Sequence, residues 1–177
     1  RKALRLMRQA EKFHRPVICM IDTSGAYCGI GTEERGQGQA IAENLMAMMS
    51  LKTPIISILI GEGESGGALA LAVADQVWML ENSVYSVLSP EGAASIIWKD
   101  ASKVEEASES LKFTAQDLQD FGIMERIFAE PEDGDFTPLY EELRQALTQT
   151  LEQESTLSSK TLLKNRYEKF RKIGRQV

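Results

Sequence analysis

The chain has 177 residues, 43% of them hydrophobic and 26% charged, and carries a net charge of -6, which suits one domain with a sizeable core and leaves too little chain for two. No apolar run approaches the roughly 20 residues of a membrane span, no signal peptide opens the chain, and the acidic balance argues against nonspecific nucleic-acid binding. Two isolated thiols, Cys19 and Cys28, make neither a zinc motif nor a disulfide framework, so no metal is expected on this chain and a reducing cytoplasm is the expected setting.

In chain order, Leu4, Met7 and Ala10 fall at helical spacing and predict a helix over residues 1–13. The chain enters that pattern at Arg1 without a start methionine, so part of the natural protein is expected upstream. A strand is predicted over Val17–Ile21 and a helix over Glu33–Ser50, with Thr32 as its cap and Glu33 and Glu34 favourable in its first turn. Ile55–Ile60, bounded by Pro54 and Gly61, reads as a buried strand. A helix over Gly66–Ala74 and a strand over Val77–Leu80 follow, and Tyr85–Leu88 adds a short strand. Ser89 caps a helix that has Pro90 at its first position and runs to about Trp98. Thr114–Asp120 reads as a capped helix ended by Gly122, and Ile123–Phe128 as a returning strand. Leu139–Leu151 is a helix with leucine every fourth residue. The segment from Lys160 carries +6 against -12 for the remainder. Leu163, Tyr167 and Phe170 would pack this last helix and leave its basic face in solvent, while docking onto an acidic partner or anionic ligand is the sharper alternative.

Strands that alternate with helices imply a parallel sheet joined by right-handed crossovers. Two of those strands run into glycine-rich loops. One is Asp22-Thr-Ser-Gly25-Ala-Tyr-Cys-Gly29-Ile-Gly31, and the other is Gly61-Glu-Gly63-Glu-Ser65-Gly66-Gly67-Ala68. Both would emerge at the carboxyl ends of parallel strands, where ligands bind, so the two can face one pocket. In the second loop, Gly66, Gly67 and Ala68 have almost no bulk. The unpaired N–H groups of the helix start and the helix dipole there favour an anion or a developing oxyanion.

Three chemistries fit that loop. Gly61-x-Gly63-x-x-Gly66, with Glu81 about 20 residues on, is formally a dinucleotide fingerprint, but Glu62 and Glu64 would repel a pyrophosphate. Gly63-Glu-Ser65-Gly66-Gly67 is formally a nucleophile elbow with Ser65 as nucleophile, but it needs a histidine base. The lone histidine, His14, precedes the serine and sits at a polar helix end. Stabilisation of an oxyanion by backbone amides is the third reading.

Four motifs in order then resemble a known family. They are Asp22-Thr23-x-Gly25-Ala26-Tyr27, Gly29-x-Gly31-x-Glu33-Glu34-Arg35-Gly36-Gln37, Gly61-Glu62-Gly63-x-Ser65-Gly66-Gly67-Ala68-Leu69-Ala70 and Tyr85-Ser86-Val87-x-Ser89-Pro90-Glu91-Gly92. Together with the ending Lys164-Asn165-Arg166-Tyr167, they resemble the carboxyltransferase alpha subunit of bacterial acetyl-CoA carboxylase. The likeness covers the whole chain, which corresponds to the family's C-terminal part. It implies an α/β fold, a ClpP/crotonase-like spiral of ββα units with C-terminal helices. Residues 1–177 would form one such domain, with a basic C-terminal helix over 156–177.

The resemblance further implies carboxyl transfer from carboxybiotin, held on a separate biotin carboxyl carrier protein, to acetyl-CoA to give malonyl-CoA. The partner would be a homologous, zinc-bearing carboxyltransferase beta subunit, in an alpha2beta2 assembly. Carried over by position, Gly66, Gly67 and Ala68 hold the ureido oxygen of biotin. Gly25, Ala26, Tyr27, Gly29, Gly31, Gly63 and Ser65 complete the substrate-binding set. Charge that develops on an oxygen gains from preorganised amides without any side-chain nucleophile, so the lack of a catalytic histidine is no obstacle. Ser24 and Cys28 stand where this family usually has proline, and Glu64 where glycine is common. Glu64 is expected to face solvent or meet a cation. Two alternatives are a crotonase-type acyl-CoA hydratase or isomerase, with Glu62, Glu64 and Glu91 as candidate side chains, and a noncatalytic crotonase-like binding scaffold.

Overall fold

The computed structural model describes residues 1–175. Its centre is a five-stranded, all-parallel sheet of β1 (Val17–Thr23), β2 (Ile55–Glu64), β3 (Gln76–Leu80), β4 (Val84–Ser86) and β5 (Arg126–Phe128). β2 is the spine. β1 runs along one edge of it, from Val17 opposite Ile55 to Thr23 opposite Gly63. The other edge is shared end to end, by β3 against Ile56–Leu59 and then β4 against Glu62–Glu64. β5 closes the far side of β3.

The alternation of side chains along a strand splits the core into two layers. Cys19, Ile21, Ile55, Leu59, Val77 and Met79 face one side. They pack beneath α1 (Lys2–Lys12), α3 (Gln37–Ser50), α4 (Ser65–Ala72), α7 (Ala115–Asp120) and α9 (Ser159–Lys172). Ile56, Ile58, Trp78, Leu80 and Phe128 face the other side, under Leu139, Ala146 and their neighbours on α8 (Thr137–Ser155). With both faces covered, the inner strands read as continuous apolar runs rather than alternating ones. Trp78 and Phe128 meet at 5.5 Å between ring centroids, tilted by 55°.

Several expectations are corrected. The helix expected over Glu33–Ser50 is two, α2 (Ile30–Glu34) and α3, divided at Gly36, whose φ of +68° turns the chain. Thr32 does not cap it. Gly29 holds that position, and the Thr32 hydroxyl donates back to the carbonyls of Gly29 (2.6 Å) and Tyr27 (2.9 Å). β2 extends to Glu64 because Glu62–Glu64 find backbone partners in β4, so the segment read as a loop is strand. β5 keeps only Arg126–Phe128 of the strand expected from Ile123. A helix over Val104–Leu111, α6, was not expected. Ser89 and Thr114 do cap their helices, accepting from the N–H groups of Gly92 and Asp117. The first of these helices, α5 (Pro90–Ala93), continues into one π-helical turn to Trp98.

The stripe expected on α9 is rotated. Leu162 and Arg166 are buried and Tyr167 is exposed. Arg166, 1% exposed, spends its whole guanidinium inside the protein. It grips both carboxylate oxygens of Asp75 at 2.8 and 2.6 Å. It also donates to the carbonyls of Met48, Leu51 and Thr53 at 2.5–3.0 Å. These carbonyls lie at and just beyond the end of α3, where helix geometry leaves them without partners, and a cation suits the helix C-terminus. The basic face therefore includes a residue that fixes α9 to the sheet. Lys169 adds Nζ bonds to Glu125 (2.7 Å) and the Asp75 carbonyl (3.3 Å). Among the described residues no helix is long and apolar enough to cross a membrane.

Candidate functional site

The two glycine-rich segments meet. β1 ends at Thr23, whose hydroxyl lies 3.2 Å from the Gly25 N–H as its acceptor, and Gly25 turns the chain at a φ of +101°. A Cβ on Gly25 would sit 3.2 Å from Cβ of Ser65 and 3.3 Å from the Glu64 carbonyl. From the other side, a Cβ on Gly67 would fall 2.9 Å from the Gly25 carbonyl carbon and 3.0 Å from the Ala26 nitrogen. The absence of side chains at both positions is what lets the backbones touch.

Beneath this contact β1 and β2 are locked by Asp22, whose Oδ1 accepts the Glu62 N–H at 3.0 Å across a break in the strand register. A Cβ on Gly61 would strike that same oxygen. Gly63 is buried under Leu59 and Tyr85, which occupy the space that a side chain there would need.

The chain passes from β2 to α4 in one step. Ser65, the first helical residue, has a φ of +58°, which L residues other than glycine adopt at a cost of about 1–2 kcal/mol. α4 carries no side-chain cap. Starting at Ser65, its N–H groups at Ser65, Gly66 and Gly67 precede the first intrahelical hydrogen bond. Ala68, fully buried, is the fourth helical residue, and helix geometry directs its N–H to the Glu64 carbonyl. The one-residue earlier start leaves Gly66 and Gly67 of the expected set ahead of the first intrahelical hydrogen bond and puts Ala68 at it. Gly66 has space around it, the nearest atom to a built Cβ being Cγ2 of Ile41 at 3.6 Å.

The rest of the first loop is placed differently. Tyr27, 75% exposed, has its backbone N–H and carbonyl facing the Gln37 side chain, which bonds both once its amide is oriented by the hydrogen-bond network. Around Gly29 the nearest atoms to a built Cβ belong to the Tyr27 ring, and around Gly31 to the Arg35 guanidinium. Both glycines shape α2 and its approach and are not brought onto α4. Cys28 is exposed, and Cys19 is buried in β1, which pushes its thiol pKa up.

A cavity of about 450 Å³ opens beside Ser65 and Gly66. Its walls are mostly apolar, with Leu69 and Val77 on one side and Phe121, Phe170 and Ile173 from α7, α9 and the segments that follow them. Tyr85, Ser86 and Lys112 supply polar groups. The sequence reading missed this cavity, because α9 lies some 100 residues beyond the loops and no local pattern marks its contribution. The one local signal was the Tyr85-Ser86-Val87 motif, which the sequence offers as a strand and a family motif but not as part of the site.

Glu64 does not line the cavity, is half-exposed, and forms no ion pair among the described residues. It therefore meets no cation. Partial burial, and then the charges of Glu62 and Glu91, push its carboxyl pKa up. The other formal readings lose their support. Glu81 accepts the Glu130 N–H while Glu130 accepts that of Asn82, so Glu81 is engaged in clasping strand ends. His14 is exposed in the turn after α1, in the left-handed region with a φ of +52°. No cluster of three metal-ligating side chains occurs among the described residues.

The sequence family described as acetyl co-enzyme A carboxylase carboxyltransferase-like matches residues 1–174. The acetyl-coenzyme A carboxylase carboxyl transferase subunit alpha of Clostridium acetobutylicum is 60% identical over 180 aligned positions, covering 100% of this chain and 66% of that protein. The acetyl-coenzyme A carboxylase carboxyl transferase subunits beta/alpha of Natranaerobius thermophilus is 61% identical, covering 100% of this chain and 30% of that one. The chain spans about two thirds of the length of the curated alpha subunits it matches. A Pseudomonas malonate decarboxylase hetero-tetramer, solved with coenzyme A, superposes with a TM-score of 0.77 at 19% identity, over 93% of this chain and 67% of that one. Transcarboxylase 12S gives 0.74 at 22% identity, over 88% and 30%. These two likenesses carry the fold, which is crotonase-like, and the sequence matches carry the family: the chain belongs to the acetyl-CoA carboxylase carboxyltransferase family.

Proposed function

We propose that this chain is a single crotonase-like domain that performs the alpha half of the carboxyltransferase reaction of acetyl-CoA carboxylase. Its partners would be a zinc-bearing beta subunit, in an alpha2beta2 assembly, and a biotin carboxyl carrier protein. The substrates would be carboxybiotin and acetyl-CoA, and the product malonyl-CoA. The name of the Natranaerobius relative, which joins beta and alpha in one chain, supports the pairing.

The observation that carries the reading is the uncapped start of α4, braced by Gly25 and Ala26. Biotin supplies an activated carboxyl group next to a ureido carbonyl. The residues fit such a group: Gly66 leaves open space, and the neighbouring cavity is apolar enough for a compact ring. The Gly66 and Gly67 N–H groups would donate to the ligand oxygen and offset the negative charge left there when the carboxyl group passes to acetyl-CoA. Ala68 backs them from inside the core, and Ser65 aims them through its left-handed backbone. Gly25 and Ala26 hold the donors in place, which preorganises them at no cost during the reaction. Gly63 supports Ser65 from below, while Tyr27, Gly29 and Gly31 shape the facing loop that borders the ligand. The apolar wall excludes water, which strengthens each hydrogen bond.

The test uses the full-length chain assembled with its beta subunit, with biotin and malonyl-CoA as substrates for the reverse transfer. Gly66→Ala keeps the N–H and adds a methyl to open space, whereas Gly66→Pro deletes the N–H at a first-turn position that tolerates proline. We expect near wild-type transfer from the first and a loss of about 100-fold or more from the second. Equal turnover in the two variants would place the donors elsewhere.

A further inference from the structure

Among the polar groups of the cavity beside α4, the Tyr85 hydroxyl is placed by the fold and left without a protein partner. Tyr85 lies in β4 opposite Gly63, and its own N–H is tied to the Phe113 carbonyl at 3.1 Å. Its ring fills space that a Gly63 side chain would take, 3.4 Å from the built Cβ, and packs against the core layer beneath α4. The ring is thus held by the same glycine that supports the elbow at Ser65. Tyr85 lines the cavity together with Ser65 and Gly66.

Its hydroxyl has no hydrogen-bond partner among the described residues, yet it is not one of the sealed-off polar atoms, which are Asn44 Oδ1 and Glu154 Oε2. The oxygen therefore keeps accessible surface. Tyrosine hydroxyls that enter apolar surroundings ordinarily find a partner, because an unmade hydrogen bond there is costly. Of the other polar side chains on these walls, Ser86 already donates to the Leu88 carbonyl at 2.7 Å, while Ser65 and Lys112 make no side-chain hydrogen bond among the described residues. Burial raises the Tyr85 phenol pKa to about 12, so it remains a donor across the physiological range. A protonated phenol on β4 and the uncapped start of α4 at Ser65 and Gly66 thus line one cavity from different elements.

We propose that the Tyr85 hydroxyl donates a hydrogen bond to the ligand bound at the Gly66 and Gly67 amides, as a third donor supplied by β4. This rests on the functional reading above. It implies a ligand that is mostly apolar and presents acceptor oxygen, in keeping with the ureido group of biotin. It also gives Tyr85 a role that no nucleophile or metal duplicates.

Two measurements test this on the full-length chain assembled with its beta subunit. In the first, Tyr85→Phe deletes one oxygen that no protein group uses. The fold should keep its thermal midpoint, while kcat for biotin-dependent transfer should fall about tenfold. In the second, the chain is labelled with fluorotyrosine and titrated with free biotin, and the fluorine resonance missing from Tyr85→Phe should move to saturation. A resonance unmoved at saturating biotin, or turnover in Tyr85→Phe equal to wild type, would overturn the assignment. If the wild-type complex transferred no carboxyl group, the functional reading would fall by itself, and the fluorine titration would still decide the role of Tyr85.

Discussion

Gly67 and Gly25 approach so closely that a Cβ on Gly67 would lie 2.9 Å from the Gly25 carbonyl carbon. Both flanking atoms are backbone, so neither can rotate away. Gly67→Ala should push the two loops apart, at about 1–3 kcal/mol of stability. The shift at the α4 amides should cost about 100-fold in carboxyl transfer. Thermal unfolding and the transfer assay on the same preparation check both, and wild-type values in each would show that the loops do not brace one another.

Ser65 is the strained residue of the elbow, and glycine adopts its φ of +58° freely. Ser65→Gly is therefore expected to hold or raise stability, by up to about 1 kcal/mol, read as a shift in the urea midpoint. If amides rather than a serine nucleophile do the chemistry, transfer should fall less than about tenfold. Complete loss of turnover in a folded Ser65→Gly protein would revive the nucleophile reading.

Arg166 and Asp75 join α9 to the loop after α4 through an ion pair of 2.6 Å that excludes water. Removing the arginine leaves the buried Asp75 carboxylate without its charge partner, held by the Ile55 N–H alone, and strands three carbonyls, which should destabilise the protein by about 3–5 kcal/mol. Arg166→Met combined with Asp75→Asn should cost less than the sum of the single changes, since each single change strands the other's partner. Denaturant unfolding of the four proteins measures the coupling. Phe170 and Ile173 ride on this anchor, so Arg166→Met should also raise KM for biotin.

Glu154 sits beside the same hub. Its Oε1 accepts from Gln76 at 3.1 Å, while Oε2 is buried without a partner. Burial first, and then the Asp75 charge, raise its carboxyl pKa to about 7, against the nearby positive charges of Arg166 and Lys169. For an acid with a raised folded pKa, the unfolded chain loses its proton first as pH climbs. This contribution to stability is whole below about pH 4.5, declines between about 4.5 and 7 and is gone above that. The change is on the order of 3 kcal/mol. Glu154→Gln should flatten that part of the stability profile and be more stable than wild type at pH 8. Matching slopes from pH 5 to 7 in the two proteins would rule out Glu154 as the titrating group.

Much of the fold was legible locally. Ile55–Leu59 had to be a buried strand because five apolar residues between Pro54 and Gly61 suit nothing else of that length. Ser89-Pro90 and Thr114 had to start helices because cap chemistry depends only on near neighbours. The glycines at 25 and 67 marked the contact between the two loops for the same reason, since backbone that must turn sharply or approach another chain segment excludes a Cβ wherever it lies in the fold.

The tertiary structure decided what depends on distant partners. Glu62–Glu64 became strand because β4 was there to bond them, Arg166 became a core residue because the end of α3 and Asp75 were waiting for a cation, and Tyr85 became a cavity wall through its seat on Gly63. Sequence by itself thus determined where the backbone had to be bare, a local steric matter. Only the packed structure determined which amides, hydroxyl and apolar walls share one space, because that follows from segments meeting across 20 to more than 100 residues of chain.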